Sequence, residues 1–374
     1  MRIAFTVPNF RPRLTGPALL VEEVAKRLVE KGHSCLLITR NGGKAEAPRG
    51  VEVAPLAAHS RSGYPKRSDV TSALSRFRPD LVFTHEMRNP LTMWGAAWSA
   101  RERVALAIEP HGEWNAYRAM PHRWQRFPFA AYDAIRMRGF PSRGSKIVAT
   151  SKAEEAELAK TTGRSSDVVR LYLGANAKPA PSPSRRDVPR ILMFANFGVF
   201  RDPWPLIKAS KRLQEMHVAH ELVLAGGFAP HSIFQRRLRV PSDADARYVG
   251  PVETSERNSV LANADLFCYP SRYESFALPI LEAASVGVPV LASRVGIAPE
   301  IIPSRWLVGP NPSHEELAAG LRPRLETVRE ERQAIAKAAG SLRSWASWEK
   351  RADAYRTWIE GGDVVVEAPP RLTV

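Results

Sequence analysis

The sequence predicts an α/β protein of two domains, each built on a parallel sheet. Three observations carry this. Short apolar runs of strand length alternate with segments of helical spacing along both halves of the chain. A Pro/Ser-rich stretch, Pro179-Ala180-Pro181-Ser182-Pro183-Ser184-Arg185-Arg186, separates the halves. The length, 374 residues, favours two hydrophobic cores over one. The expected division is residues 1–178, a linker at 179–188, residues 189–344, a helix at about 345–360 and a loose tail at 361–374.

In the first half, residues 3–7 are a short apolar strand, and Asn9 to Gly16 a loop with one proline, Pro12, and a glycine. Ala18 to Lys31 has helical spacing, with Leu20, Val24 and Leu28 on one face and Glu22, Glu23, Lys26 and Arg27 on the other. Gly32-His33 ends it, and Ser34 to Thr39 is the next strand. Val51 to Val53 is a strand, and Pro79 to Glu86 another that ends in the polar pair His85-Glu86. Arg103 to Ile108 leads into Glu109-Pro110-His111-Gly112-Glu113-Trp114. Parallel sheets bind ligands at the carboxyl ends of their strands, so His85, His111, Gly112 and Glu113 are candidate site residues. Tyr117 to Lys152 carries eight Arg/Lys (118, 123, 126, 136, 138, 143, 146, 152) and one acid, Asp133, interleaved with aromatic residues. That composition suits a helix lying on anionic lipid, or a helix with a solvated basic face; Pro128 is expected to interrupt it. Ile147 to Ser151 is the next strand, with Ser151 capping the following helix.

In the second half, Arg190 to Asn196 is a strand, Trp204 to Gln214 a helix, and Glu221 to Gly227 a strand ending in glycines. Arg247 to Gly250 is a strand end and Val260 to Ala264 a short helix. Then comes the most informative stretch, Pro270-Ser271-Arg272-Tyr273-Glu274-Ser275-Phe276-Ala277-Leu278-Pro279-Ile280-Leu281-Glu282-Ala283. It follows the apolar run Asp265 to Tyr269, and Pro279 suits the first turn of a helix. Strand, loop and helix N-terminus together make an anion site, with Glu274 and Glu282 able to face one crevice. Gly287 to Ser293 is the following strand.

The string Pro-Ser-x-x-Glu-Ser-Phe-x-Leu-Pro-x-x-Glu-Ala resembles the Glu-x7-Glu signature of retaining family 4 glycosyltransferases. The resemblance extends to the Gly16 loop, the His111-Gly112 pair, Gly296 to Ile302 and Trp348-Glu349-Lys350. It implies the GT-B fold, two Rossmann-like domains with parallel sheets facing a central cleft, the last helix returning to the first domain. It implies transfer of a sugar from a nucleotide sugar, a UDP- or GDP-sugar, to a hydroxyl of a glycan, glycolipid or lipid-linked acceptor. No metal or other cofactor is expected. His111 and Glu274 take the catalytic positions; Asn196, Gly198, Arg201, Gly250, Ser275, Phe276, Ala277, Leu278 and Glu282 line the donor; Gly16, His85, Gly112 and Glu113 stand on the acceptor side. The family's phosphate clamp has an arginine and a lysine where this chain has Asn196 and Arg201, so a silent scaffold on the same fold is the alternative.

The net charge of +16 is concentrated in residues 1–180, where 29 Lys/Arg face 16 Asp/Glu. An anionic membrane surface is therefore an expected partner, and no nucleic-acid motif is present. No apolar run reaches membrane-spanning length, so the expected location is the cytoplasm, peripheral at the inner face of the membrane. Cys35 and Cys268, in separate apolar runs, are expected as buried thiols. No P-loop occurs, no cluster has metal-ligand spacing in sequence, and Asp243-Ala244-Asp245 lies in a polar loop that does not suit a metal-binding pair.

Overall fold

The computed structural model describes residues 1–10, 15–40, 48–54, 56–58, 63–136, 140, 144–179, 187–228 and 246–372. The expected linker core (180–186), Arg138, Arg143 and Asp243 to Asp245 lie outside them. The chain divides into two compact units. Unit 1 holds Met1–Arg118, His122–Gly174 and Trp348–Glu367; unit 2 holds Ala119–Pro121, Ala175–Ser347 and Ala368–Val374.

In unit 1 the elements run β1 (Arg2–Thr6), α1 (Gly16–Glu30), β2 (Ser34–Ile38), β3 (Val51–Val53), α2 (Arg67–Phe77), β4 (Leu81–His85), α3 (Pro90–Glu102), β5 (Ala105–Glu109), α4 (Glu113–Ala116), α5 (Arg123–Arg136), β6 (Lys146–Ala149), α6 (Lys152–Thr162) and β7 (Val168–Arg170). Among the described residues the strands form one parallel sheet in the order β3-β2-β1-β4-β5-β6-β7. The order reverses between β1 and β4, the switch point at which parallel sheets of this kind bind ligands. Central strands are apolar on both faces because helices cover both, and four of the five residues of β1 are buried. Thr15 accepts from the Ala18 N–H and caps α1, and Pro17 stands in its first turn. Gly16 is therefore the first residue of that helix.

Helix α5 continues through Pro128, where an interruption was expected. Proline removes the N–H that would bond to Trp124, and Trp124 is 73% exposed. At so open a position water can take that carbonyl instead.

Unit 2 runs β8 (Arg190–Phe194), α7 (Trp204–Glu215), β9 (Glu221–Ala225), β10 (Ala246–Tyr248), α8 (Arg257–Ala262), β11 (Leu266–Tyr269), α9 (Leu278–Val286), β12 (Val290–Ser293), α10 (Ala298–Ile301), β13 (Leu307–Val308) and α11 (His314–Trp345). Its described strands are parallel in the order β10-β9-β8-β11-β12-β13, with the reversal between β8 and β11. Cys35 and Cys268 are buried free thiols.

The last helix, α12 (Trp348–Ile359), belongs to unit 1, where it packs on α1. Gly174 lies so close beneath it that a Cβ there would stand 2.5 Å from the Trp348 ring. The tail expected to be loose is docked instead. Leu372 is 3% exposed against Val290, Ile302, Pro303, Trp306 and Ile335, because its apolar side chain fills the groove these residues leave.

One contact fixes the floor of unit 2. Gly226 sits at φ +120°, and a Cβ there would stand 2.0 Å from the Ala195 carbonyl oxygen. Gly226→Ala is therefore expected to cost about 3 kcal/mol or more, from strained backbone and overlap together. Chemical denaturation reads this directly; a change below about 1 kcal/mol would show that the β8 and β9 ends can move apart.

Candidate functional site

The β8 and β11 loops meet at the switch point of unit 2. The β8 loop carries Asn196, Gly198 and Arg201. Gly198 and Arg201 close a tight turn, each N–H donating to the other's carbonyl at 3.3 and 3.0 Å. Asn196 is exposed, and Gly250 accepts from the Gly226 N–H at 2.7 Å with a left-handed φ of +88°.

The β11 loop carries Glu274, whose carboxylate is held on several sides. Arg201 donates from Nε to Oε1 at 2.6 Å and from Nη2 to Oε2 at 2.7 Å. Tyr269 and Ser271 hydroxyls both donate to Oε1 at 3.0 Å. Bidentate charge-assisted bonds of this kind orient as well as bind. The structure thus joins two residues the sequence placed in one site, and shows that Arg201 grips Glu274.

Ala277 stands at the N-cap of helix α9 and adopts a left-handed φ of +69°. The backbone N–H groups of Phe276, Ala277 and Leu278 donate to no acceptor among the described residues. One turn in, Glu282 is 9% exposed. Its Oε1 lies 3.5 Å from Arg257 Nη1 of α8, and its Oε2 is buried with no hydrogen-bond partner among the described residues. Burial raises the Glu282 pKa, and Arg257 opposes the rise without cancelling it. A buried, unpaired carboxylate oxygen beside unused N–H groups combines an acceptor for ligand hydroxyls with donors for ligand anions. Ser275 is half-buried on the same loop.

Unit 1 has its own polar cluster at the carboxyl ends of β4 and β5. Sheet register sets His85 beside Glu109, and His111 follows two residues later. His85 Nδ1 and His111 Nε2 are 3.1 Å apart. Glu109 lies 3.9 Å from His85 Nδ1 and 3.7 Å from His111 Nδ1. The Tyr355 hydroxyl of α12 faces both Glu109 oxygens, at 3.2 and 3.3 Å. Burial lowers both imidazole pKa values, that of His111 to about 3, and raises that of Glu109. These three side chains offer nitrogen and oxygen donors within 4.8 Å of one another, an arrangement able to take a small cation. Sequence spacing could not reveal it, because strand pairing brings the residues together.

His111 and Gly112 are consecutive left-handed residues, φ +52° and +78°. Glu154 of α6 holds that turn: it accepts from the Gly112 N–H at 2.7 Å and from the Thr150 N–H and hydroxyl at 2.8 and 2.7 Å. Glu113 accepts from the Met87 and Arg88 N–H groups at 2.7 and 3.1 Å, tying α4 to the β4 loop. Among the described residues, no atom beyond the adjoining backbone lies within 4 Å of a Cβ placed on Gly16. Arg257, Glu154 and Tyr355 were not singled out from the sequence, which holds no local motif for any of them.

The profile described as "Glycosyltransferase Family 4" matches residues 15–179, and "Glycosyl transferases group 1" matches residues 175–341. The O-antigen chain mannosyltransferase B of Escherichia coli is 38% identical over 96 residues, 25% of this chain and 25% of that protein. The match thus spans about a quarter of that relative's length. A GDP-mannose-dependent alpha-mannosyltransferase of Corynebacterium glutamicum is 25% identical over 324 residues, 79% of this chain and 73% of that protein. An Anabaena protein, HepE, solved in complex with UDP, superposes with a TM-score of 0.71 at 18% identity, covering 96% of this chain and 100% of its own.

Proposed function

Because this chain belongs to the family 4 glycosyltransferases and has the GT-B fold, we propose that it moves a sugar from a nucleotide sugar to a hydroxyl of a glycan, glycolipid or lipid-linked acceptor, with anomeric retention. The observation that carries this reading is the buried, unpaired Glu282 Oε2 beside the unused N–H groups of Phe276, Ala277 and Leu278. A ribose hydroxyl satisfies the first, and diphosphate oxygens or donor hydroxyls satisfy the second. Arg201, oriented by its ion pair with Glu274, keeps a partly exposed guanidinium whose remaining N–H groups can donate to the leaving diphosphate. These groups support a reaction without a metal cofactor. UDP- and GDP-sugars are the proposed donors, since relatives carry UDP or use GDP-mannose. Calorimetric titration with UDP, GDP, ADP and dTDP tests the site, and release of nucleotide from the matching sugar donors tests turnover. Binding without turnover would favour a silent scaffold, the reading that exposed Asn196 supports; binding of none would remove the donor-site assignment.

The acceptor side is proposed to meet an anionic membrane surface. Trp124, Phe127 and Ile135 of α5 are 73%, 73% and 75% exposed, with Arg123 and Arg126 on the same helix. Its one acid, Asp133, is neutralised by Arg88 at 2.6 Å. An apolar stripe flanked by cations suits a lipid headgroup boundary. Among the described residues no helix is long and apolar enough to cross a membrane. Flotation with phosphatidylserine vesicles is expected to carry the protein, to fade in high salt, and to fall about tenfold in Trp124→Ser/Phe127→Ser. Equal flotation of the double variant would remove α5 from the contact.

A further inference from the structure

The docked tail bears on the donor site. Residues 298–301 form the short helix α10, and the last carbonyls of a helix lack partners within it. Here the tail supplies them. Arg371 Nη2 donates to the Pro299 carbonyl at 2.8 Å and Nε to Glu300 at 3.4 Å; the Leu372 N–H donates to Ile301 at 2.9 Å. Leu372 anchors these bonds by burying its side chain beneath Ile302.

The other end of α10 touches the donor loop. The Ile297 N–H donates to the Phe276 carbonyl at 2.8 Å. Gly296 passes so close that a Cβ there would stand 2.4 Å from the same oxygen. A trans peptide is planar, with its C=O and N–H pointing in opposite directions. Fixing the Phe276 carbonyl therefore aims the Ala277 N–H, one of the unused donors at the start of α9.

We propose that Arg371 and Leu372 are positioning residues for the donor site: the tail caps α10, and α10 holds the Phe276–Ala277 peptide in the orientation that binds the donor. This rests on the donor-site reading above. Neither residue touches the ligand; both act through Ile297 and Phe276.

Two variants test it, Arg371→Ala, which removes only the two side-chain capping bonds and leaves that of the Leu372 N–H, and Leu372→Asp, which ejects the anchor. In titrations with UDP and GDP at 20 °C, each is expected to bind about fivefold to twentyfold more weakly than wild type while its circular dichroism stays native. Leu372→Met is expected to restore the affinity. Affinity within twofold of wild type, even with a lowered Tm, would overturn the proposal, since a purely structural tail changes stability alone. Amide exchange of Ile297 gives a readout that needs no nucleotide. It is expected to quicken about tenfold in Arg371→Ala, and unchanged exchange would overturn the proposal whatever binds. Failure of wild type to bind either nucleotide, with Ile297 exchange quickened, would instead count against the donor-site reading.

Discussion

Glu282→Ala is expected to weaken nucleotide binding by about a hundredfold. A hydrogen bond to a charged group contributes about 1.5–3 kcal/mol, and each 1.4 kcal/mol is tenfold in affinity. Two ribose hydroxyls on one carboxylate reach that range. Glu282→Gln keeps one acceptor of similar shape and is expected to lose about tenfold. Stability should move little, because Arg257 keeps 21% of its side chain exposed and can turn to water. A pH titration separates the two effects by sign. Burial raises the Glu282 pKa, so the native state holds this proton more tightly than the unfolded chain. The group's contribution to stability therefore falls as pH rises from the ordinary carboxylate value through the raised one. Nucleotide affinity should rise over the same window, as the carboxylate forms. Calorimetry of wild type and both variants decides it, and Glu282→Ala binding as tightly as wild type would move the nucleotide elsewhere.

Arg201→Met should lower both stability and turnover. The Glu274 side chain is 5% exposed, and without Arg201 it keeps only the Tyr269 and Ser271 hydroxyls. Breaking a buried pair costs about 3–5 kcal/mol. The Arg201 side chain is 35% exposed, so solvent screening reduces the expected loss to about 2–3 kcal/mol. Adding Glu274→Gln removes the stranded charge and should restore most of the stability, while donor turnover stays at least about a hundredfold down. Denaturant unfolding of the two single variants and the double variant, with nucleotide release from the donor, completes the cycle. Full recovery of turnover in the double variant would mean the pair serves the fold alone.

Much of this architecture was legible because of how parallel sheets bury their strands. Runs such as Ile3 to Val7 and Leu266 to Tyr269 are apolar on both faces, and the structure makes each a central strand. Glu274 and Glu282 were legible because one continuous segment carries both. Their partners were not. Arg257 reaches Glu282 from a different helix, and Tyr355 reaches Glu109 from the far end of the chain. Such pairs come from tertiary packing, which leaves no periodic trace in the local sequence. Pro128 misled for the same reason in reverse: a local rule gave way where solvent could satisfy the freed carbonyl.

The return of Trp348–Glu367 to unit 1 has a consequence for biosynthesis. A ribosome delivers this chain from the amino end, and the segment that covers Phe83 and Glu109 emerges only after the strands of unit 2. The sheet of unit 1 must therefore wait, its apolar flank bare, while all of unit 2's strands are synthesised. The nascent protein is most exposed to aggregation and to holdase chaperones during that interval. Residues 1–178 expressed alone would keep that bare flank permanently, so the two halves of this chain are not separable products.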